Sequence, residues 1–189
     1  MKDIRRPSTL FLPKPVALVT AAADGRDNVM TAAWVNAACM DPPMLAVSVR
    51  SSRFTHGLIE RGGQFAVNLP GEELLEAAEL CGSLSGRDCD KFERAGLTRE
   101  AASRIGAPLV AECPLSIECE VRQALRLGSH TLFIGEVLAV RVDGRITDDA
   151  GNIEVESMRP FVLNHREYWS MGRPIGTYGS GAPPFKIIP

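Results

Sequence analysis

Two kinds of residue suited to a charged, flat ligand stand close together between Asn28 and Thr55. Thr31, Ala32, Ala33, Asn36, Ala37, Ala38 and Cys39 are small, so their peptide groups stay open to a planar molecule lying against them, and Asn36 adds a side-chain amide. Ser48, Arg50, Ser51, Ser52, Arg53 and Thr55 follow with hydroxyl and guanidinium donors, and Lys91 supplies a further cation. A hydrogen bond from a cation to an anion is roughly twice as strong as a neutral one. The pairing suits a phosphorylated heteroaromatic cofactor. A serine-capped helix start with solvated arginines is the competing reading, since no glycine-rich phosphate loop is present.

These residues need strands to carry them. PVALVT from Pro15 reads as a strand, Asp24-Gly25 as a turn, and the run from Asn28 as its hairpin partner. Pro42-Pro43 interrupts that run before MLAVSV resumes, which specifies three antiparallel strands. Ser51 and Ser52 predict the N-cap of a helix whose Phe54, Leu58 and Ile59 share one face and which stops at Gly62-Gly63. QFAVNL predicts another strand and EELLEAAELCG a helix ended by Gly82, followed by a loop-rich span from Ser83 to Thr98 that holds Ser85, Arg87 and Lys91. Leu115, Ile117, Cys119 and Val121 alternate with polar residues, predicting a half-buried strand that LGSH turns back into TLFIGEVLAVRV. Many short-spaced strands with two clear helices favour an antiparallel barrel.

Other reactive residues give weaker signals. His130, at the hairpin after Gly-Ser, is suited to stabilising charge near neutral pH, although a turn histidine with a satisfied hydrogen bond is the favoured reading from the residues alone. Glu118 and Glu120 share a strand face and read as a solvated surface, Trp34 reads as core, and no G-x-S-x-G elbow supports hydrolysis. His56 and His165 lack partners at metal-binding spacing, so no metal is expected. Cys113 and Cys119 would lie about 20 Å apart on an extended strand, too far to pair. A Cys81–Cys89 bridge is geometrically open, but all five cysteines read as free, buried or half-buried thiols.

With 189 residues the chain is expected to form a single domain, and 21 basic against 23 acidic residues leave no electrostatic footprint for nucleic acid. No stretch approaches the roughly 20 apolar residues of a membrane helix, and the proline-broken start MKDIRRPSTLFLPKP lacks a signal-peptide core, so a cytoplasmic protein without membrane partners is expected.

The segments TAAWVNAACMDPP, LAVSVRSSRFT, QFAVNL, SGRDCDKF, SHTLFIGEV and YWSMGRPIGTYG together resemble the flavin reductase-like and flavoredoxin family of FMN-binding split barrels. The resemblance implies a mainly β fold, an antiparallel six-stranded Greek-key split barrel with a few flanking helices. It also implies a homodimer, with the tail from about residue 168 packing over the barrel or the partner. FMN contacts would come from Thr31 to Trp34, Asn36 to Cys39, Ser48 to Ser51, Arg53 to Thr55, Ser85 and Lys91; Val49 and Phe54 enter on this ground alone. Cys39 stands where a serine or another small polar residue is expected. FAD remains the alternative flavin. The implied activity is oxidation of NADH or NADPH through flavin toward an acceptor such as a monooxygenase, with His130 beside the nicotinamide. A flavoredoxin-type electron carrier and a cofactor-free binding module stay open as alternatives.

Overall fold

The computed structural model describes residues 2–176, and the Gly/Pro-rich end of the expected tail lies outside the described residues. Twelve strands and four α-helices alternate along the described chain. In order they are β1 (Lys14–Pro15), β2 (Ala17–Ala23), β3 (Arg26–Ala32), β4 (Val35–Met40), β5 (Pro43–Arg50), α1 (Phe54–Gly62), β6 (Gln64–Leu69), α2 (Leu75–Ser83) and α3 (Lys91–Ala95). There follow β7 (Arg99–Glu100), β8 (Leu109–Val110), β9 (Leu115–Arg126), β10 (His130–Val142), α4 (Val155–Met158), β11 (Phe161–Asn164) and β12 (Glu167–Ser170).

The main sheet has seven strands where six were expected, in the order β3-β2-β6-β9-β10-β5-β4, and every pairing is antiparallel. The extra strand comes from a break at Ala33-Trp34. The run expected as one strand is two, and they sit at opposite edges of the sheet. The sheet curls until β3 approaches β5, and α1 fills the interior against β2 and β3. Period-2 alternation drives this: Ala17, Val19 and Ala21 face an inner core with Val47, Val49, Phe65, Val67 and Phe133. Val16 and Leu18 face the other way, into a second core with Ala78, Cys81, Phe92 and Phe161.

The hairpin turns follow their sequences. Asp24 (φ 54°) and Gly25 (φ 70°) make the tight link between β2 and β3, where positive φ at both positions suits an Asp-Gly pair. Gly63 ends α1 in the left-handed region, but the helix start differs from expectation: Arg53, in extended conformation, is the N-cap, with no side-chain hydrogen bond. α2 runs one residue past Gly82 to Ser83 and is preceded by a 3-10 turn over Glu72–Leu74. From the expected tail, Glu167–Ser170 pairs with Phe161–Asn164 beside the main sheet.

Glu118 is the largest departure on β9. It is fully buried rather than solvated, and its carboxylate accepts from the Ser103 amide (2.9 Å), the Ser103 hydroxyl (2.9 Å) and the Arg104 amide (2.6 Å). A loop absent from the local strand pattern covers that face and satisfies the charge. All five cysteines are free, and Cys39 is exposed rather than half-buried because β4 is an edge strand. No helix among the described residues is long and apolar enough to cross a membrane.

Candidate functional site

Where the curled sheet leaves a gap between β3 and β5, a cleft of about 190 Å³ opens toward the start of α1 and the loop after α2. Its cations are Arg50, Arg53, Arg87 and Lys91, and its remaining polar residues are Asn28, Ser52, Thr55 and Ser85. No aspartate or glutamate lines it, and none of the four cations forms a salt bridge among the described residues. The chain as a whole carries a net charge of −2, so this local excess is built by the fold.

Lys91 decides the chemistry of the cleft. Asp90 caps α3 by accepting from the Phe92 amide (2.9 Å) and the Glu93 amide (3.3 Å), which fixes the next residue, Lys91, against α2. There the Lys91 side chain is only 4% exposed and donates from Nζ to the Cys81 carbonyl at 2.7 Å. Burial pushes its pKa down to about 8; the thiols of Cys81 and Cys89 oppose the shift and the nearby Arg53 charge adds to it. A buried ammonium with only a carbonyl for a partner is costly, and an anion delivered to the cleft relieves that cost. Because Arg53 caps α1 without a side-chain hydrogen bond, the positive end of that helix adds to the same field. Thr55 is held by Asn28, whose Nδ2 donates to its hydroxyl at 2.7 Å. Phe54 forms an apolar wall, with the Arg26 guanidinium 4.5 Å and the Arg87 guanidinium 5.8 Å from its ring centre.

A second, more apolar groove of about 320 Å³ includes Phe11, Ala33, Trp34, Asn36, Ser48 and Leu132. The chain break at Ala33-Trp34 is tied to β5 by the Ser48 amide, which donates to the Trp34 carbonyl at 2.9 Å. Trp34 is 38% exposed, not core as expected, and stacks on His130 with ring centres 4.7 Å apart and an interplanar angle of 29°. His130 lies opposite Arg50 in the β5–β10 ladder, and its Nδ1 is 2.8 Å from the Ser129 hydroxyl. Burial first, and then the Arg50 charge, hold its pKa below the usual 6.5. At neutral pH it therefore acts as a hydrogen-bonding ring rather than a cation.

The structure thus brings Arg50, Arg53, Phe54, Thr55, Ser85 and Lys91 into one cleft and Ala33, Trp34, Asn36 and Ser48 into the neighbouring groove. The other expected residues lie apart. Thr31 donates its hydroxyl to the Ala78 carbonyl of α2, Ala32 and Val49 are sealed in the inner core, and Ala37, Ala38 and Cys39 are exposed along β4. Ser51 is an exposed turn residue lining neither space; Ser52 lines the cleft, and its carbonyl accepts from Arg87 at 2.9 Å. Sequence reasoning left out Asn28 and Arg87 as site residues. A polar residue at the inward-facing start of an apolar strand was the available signal for the first, and an arginine beside Ser85 and Gly86 for the second.

Residues 9–171 match a family model described as the flavin reductase like domain. An uncharacterised protein of Archaeoglobus fulgidus is 40% identical over 115 residues, which is 61% of this chain and 65% of that protein, so the match spans just under two thirds of the relative. The flavoredoxin of Desulfovibrio vulgaris (Miyazaki F) superposes with a TM-score of 0.90 at 33% identity, covering 97% of this chain and 100% of that one. Nitrilotriacetate monooxygenase component B from Bacillus cereus superposes with a TM-score of 0.81 at 25% identity over 88% of each chain.

Proposed function

The chain belongs to the flavin reductase-like family, and from that premise we propose that it binds FMN as an NAD(P)H-dependent flavin oxidoreductase. The observation that carries the reading is the carboxylate-free cleft with its buried, acid-free Lys91. A flavin phosphate supplies the missing negative charge. In this reading Lys91, Arg50 and Arg53 hold the phosphate, with hydroxyls from Ser52, Thr55 and Ser85. Peptide groups of Ala33 to Asn36, where the chain crosses between the edge strands β3 and β4 and lines the apolar groove, offer donors and acceptors to the ring edge. FMN, when bound, supplies the redox step: it takes a hydride from NADH or NADPH and passes the electrons on. Trp34 and His130 exclude water from one side of the site, and His130 offers a neutral hydrogen-bonding group toward a nicotinamide. The whole chain acts as one flavin-binding domain, in a cytoplasmic homodimer that delivers electrons to a monooxygenase or another redox acceptor.

The likeness to a flavoredoxin favours one second reading, an FMN electron carrier that exchanges electrons with a protein and leaves nicotinamides alone. Anaerobic mixing of the FMN-loaded protein with NADH and NADPH separates the two. Bleaching of the flavin band within turnover time is the expected result. A band that dithionite bleaches and neither nicotinamide touches supports the carrier, and a protein that never takes up FMN overturns both.

A further inference from the structure

Lys91 is a wall of two spaces. It lines the cleft and also an adjoining compartment of about 440 Å³, with Asn28, Gly86 and Arg87 as the other shared walls. Its Nζ has one acceptor among the described residues, the Cys81 carbonyl at 2.7 Å. A neutral amine that donates one such bond keeps its lone pair for a molecule in the cleft. Burial brings the Lys91 pKa to about 8; the thiols of Cys81 and Cys89 oppose that shift and the Arg53 charge adds to it. At about pH 7.5 roughly a quarter of Lys91 is therefore unprotonated, against about 0.1% of a lysine at the ordinary 10.5. Beside it Arg50, Arg53 and Arg87 line the cleft without a carboxylate partner among the described residues, which suits them to an anionic leaving group. A desolvated lysine next to other cations is an activated nucleophile.

We propose that Lys91 is a modification site for small acyl phosphates, which deliver their acyl group to its amine when the cleft holds no flavin. The phosphate of such a molecule takes the cation set of the cleft and leaves its acyl carbon at Lys91, the residue common to both spaces. The Nζ lone pair attacks that carbon, a C–N bond forms, and the C–O bond to phosphate breaks. The electron pair leaves with the phosphate, whose charge Arg50, Arg53 and Arg87 offset, and the phosphate takes the proton that the nitrogen sheds. The product is a neutral amide. Acylation removes the buried charge and so weakens the cleft's hold on FMN; that consequence alone rests on the flavin reading.

The test is incubation of the flavin-free protein with acetyl phosphate at about pH 7.5, with acetylation of each lysine followed by peptide mass mapping. Lys2, exposed, and Lys14, half-buried, are references within the same molecule. Lys91 should acetylate at least about tenfold faster than either, since burial and lower basicity take back only part of its roughly 200-fold larger neutral fraction. Inorganic phosphate should slow Lys91 alone, and acetic anhydride, which has no phosphate to be held, should show a smaller preference for it. Lys91 labelled no faster than Lys2 and Lys14, labelling indifferent to phosphate, or a preference as large with acetic anhydride overturns the proposal. FMN should protect Lys91 as phosphate does. Protection by phosphate without protection by FMN keeps the modification site and overturns the flavin reading, so the two failures are told apart.

Discussion

Replacing Lys91 by methionine should move stability and affinity in opposite directions. The ammonium is buried and its pKa is held at about 8 instead of 10.5, so at neutral pH the folded state bears roughly 3 kcal/mol of charge burial at about 1.4 kcal/mol per unit. Methionine fills similar space without that charge, but it leaves the Cys81 carbonyl without its 2.7 Å donor, which costs about 1–3 kcal/mol. The two terms leave the ligand-free variant level with the wild type or up to about 2 kcal/mol more stable, a rise in melting temperature of no more than about 8 °C for a chain of this length. FMN affinity should fall about 10- to 100-fold with the lost charge-assisted contact. The pH dependence adds a signature. Between pH 8 and 10.5 the unfolded chain binds the Lys91 proton more fully than the folded one, so wild-type stability gains a rising contribution in that window, and Lys91→Met removes it. Melting curves with and without FMN, from pH 7 to 10.5, read all of this. A ligand-free variant that melts well below the wild type while its FMN affinity is unchanged would make Lys91 a structural prop and refute the reasoning.

Three further outcomes follow from the same coordinates. Glu118→Ala strands the Ser103 and Arg104 amides and should cost about 3 kcal/mol or more in urea unfolding at pH 7. Burial raises the Glu118 pKa, but these hydrogen bonds outweigh it and hold the net value below 4.5; its contribution is therefore present above the unfolded pKa and fades as pH falls through the folded one, a fade the variant should lack. Gly135→Ala would put a Cβ 2.6 Å from Phe65 ring carbons in the inner core, and its overpacking should cost about 1–3 kcal/mol by the same assay. Trp34 fluorescence should report the titration of the stacked His130 with a midpoint below pH 6.5, a step that His130→Gln abolishes; a midpoint at or above 6.5 would mean that the ring is not shielded as described.

Much of the fold was legible because local and tertiary preferences agree. Asp24-Gly25 and Gly62-Gly63 each act within a few residues, and each appears where the sequence puts it; the strand from Leu115 also forms, although Ser116 and Glu118 on its expected solvent face are buried. Misreadings arose where a distant segment decides the outcome. The break at Ala33-Trp34 carries no proline or glycine; it exists because the chain must cross from one edge of the curled sheet to the other. Glu118 looks solvated by its strand pattern and is buried by a loop some 15 residues earlier in the chain. The cleft divides the same way. Arg50, Arg53 and Thr55 could be read from one short run, whereas Arg87 and Asn28 join them only because α2 and α3 pack on β3.

The dissociation constants of FMN and riboflavin for the flavin-free protein at pH 7 test the cleft itself. These ligands share the ring and differ by the phosphate, so a cleft of four cations with no carboxylate partner among the described residues should bind FMN at least about a hundredfold tighter, with inorganic phosphate competing. Equal affinity for the two would contradict the assignment of that cleft.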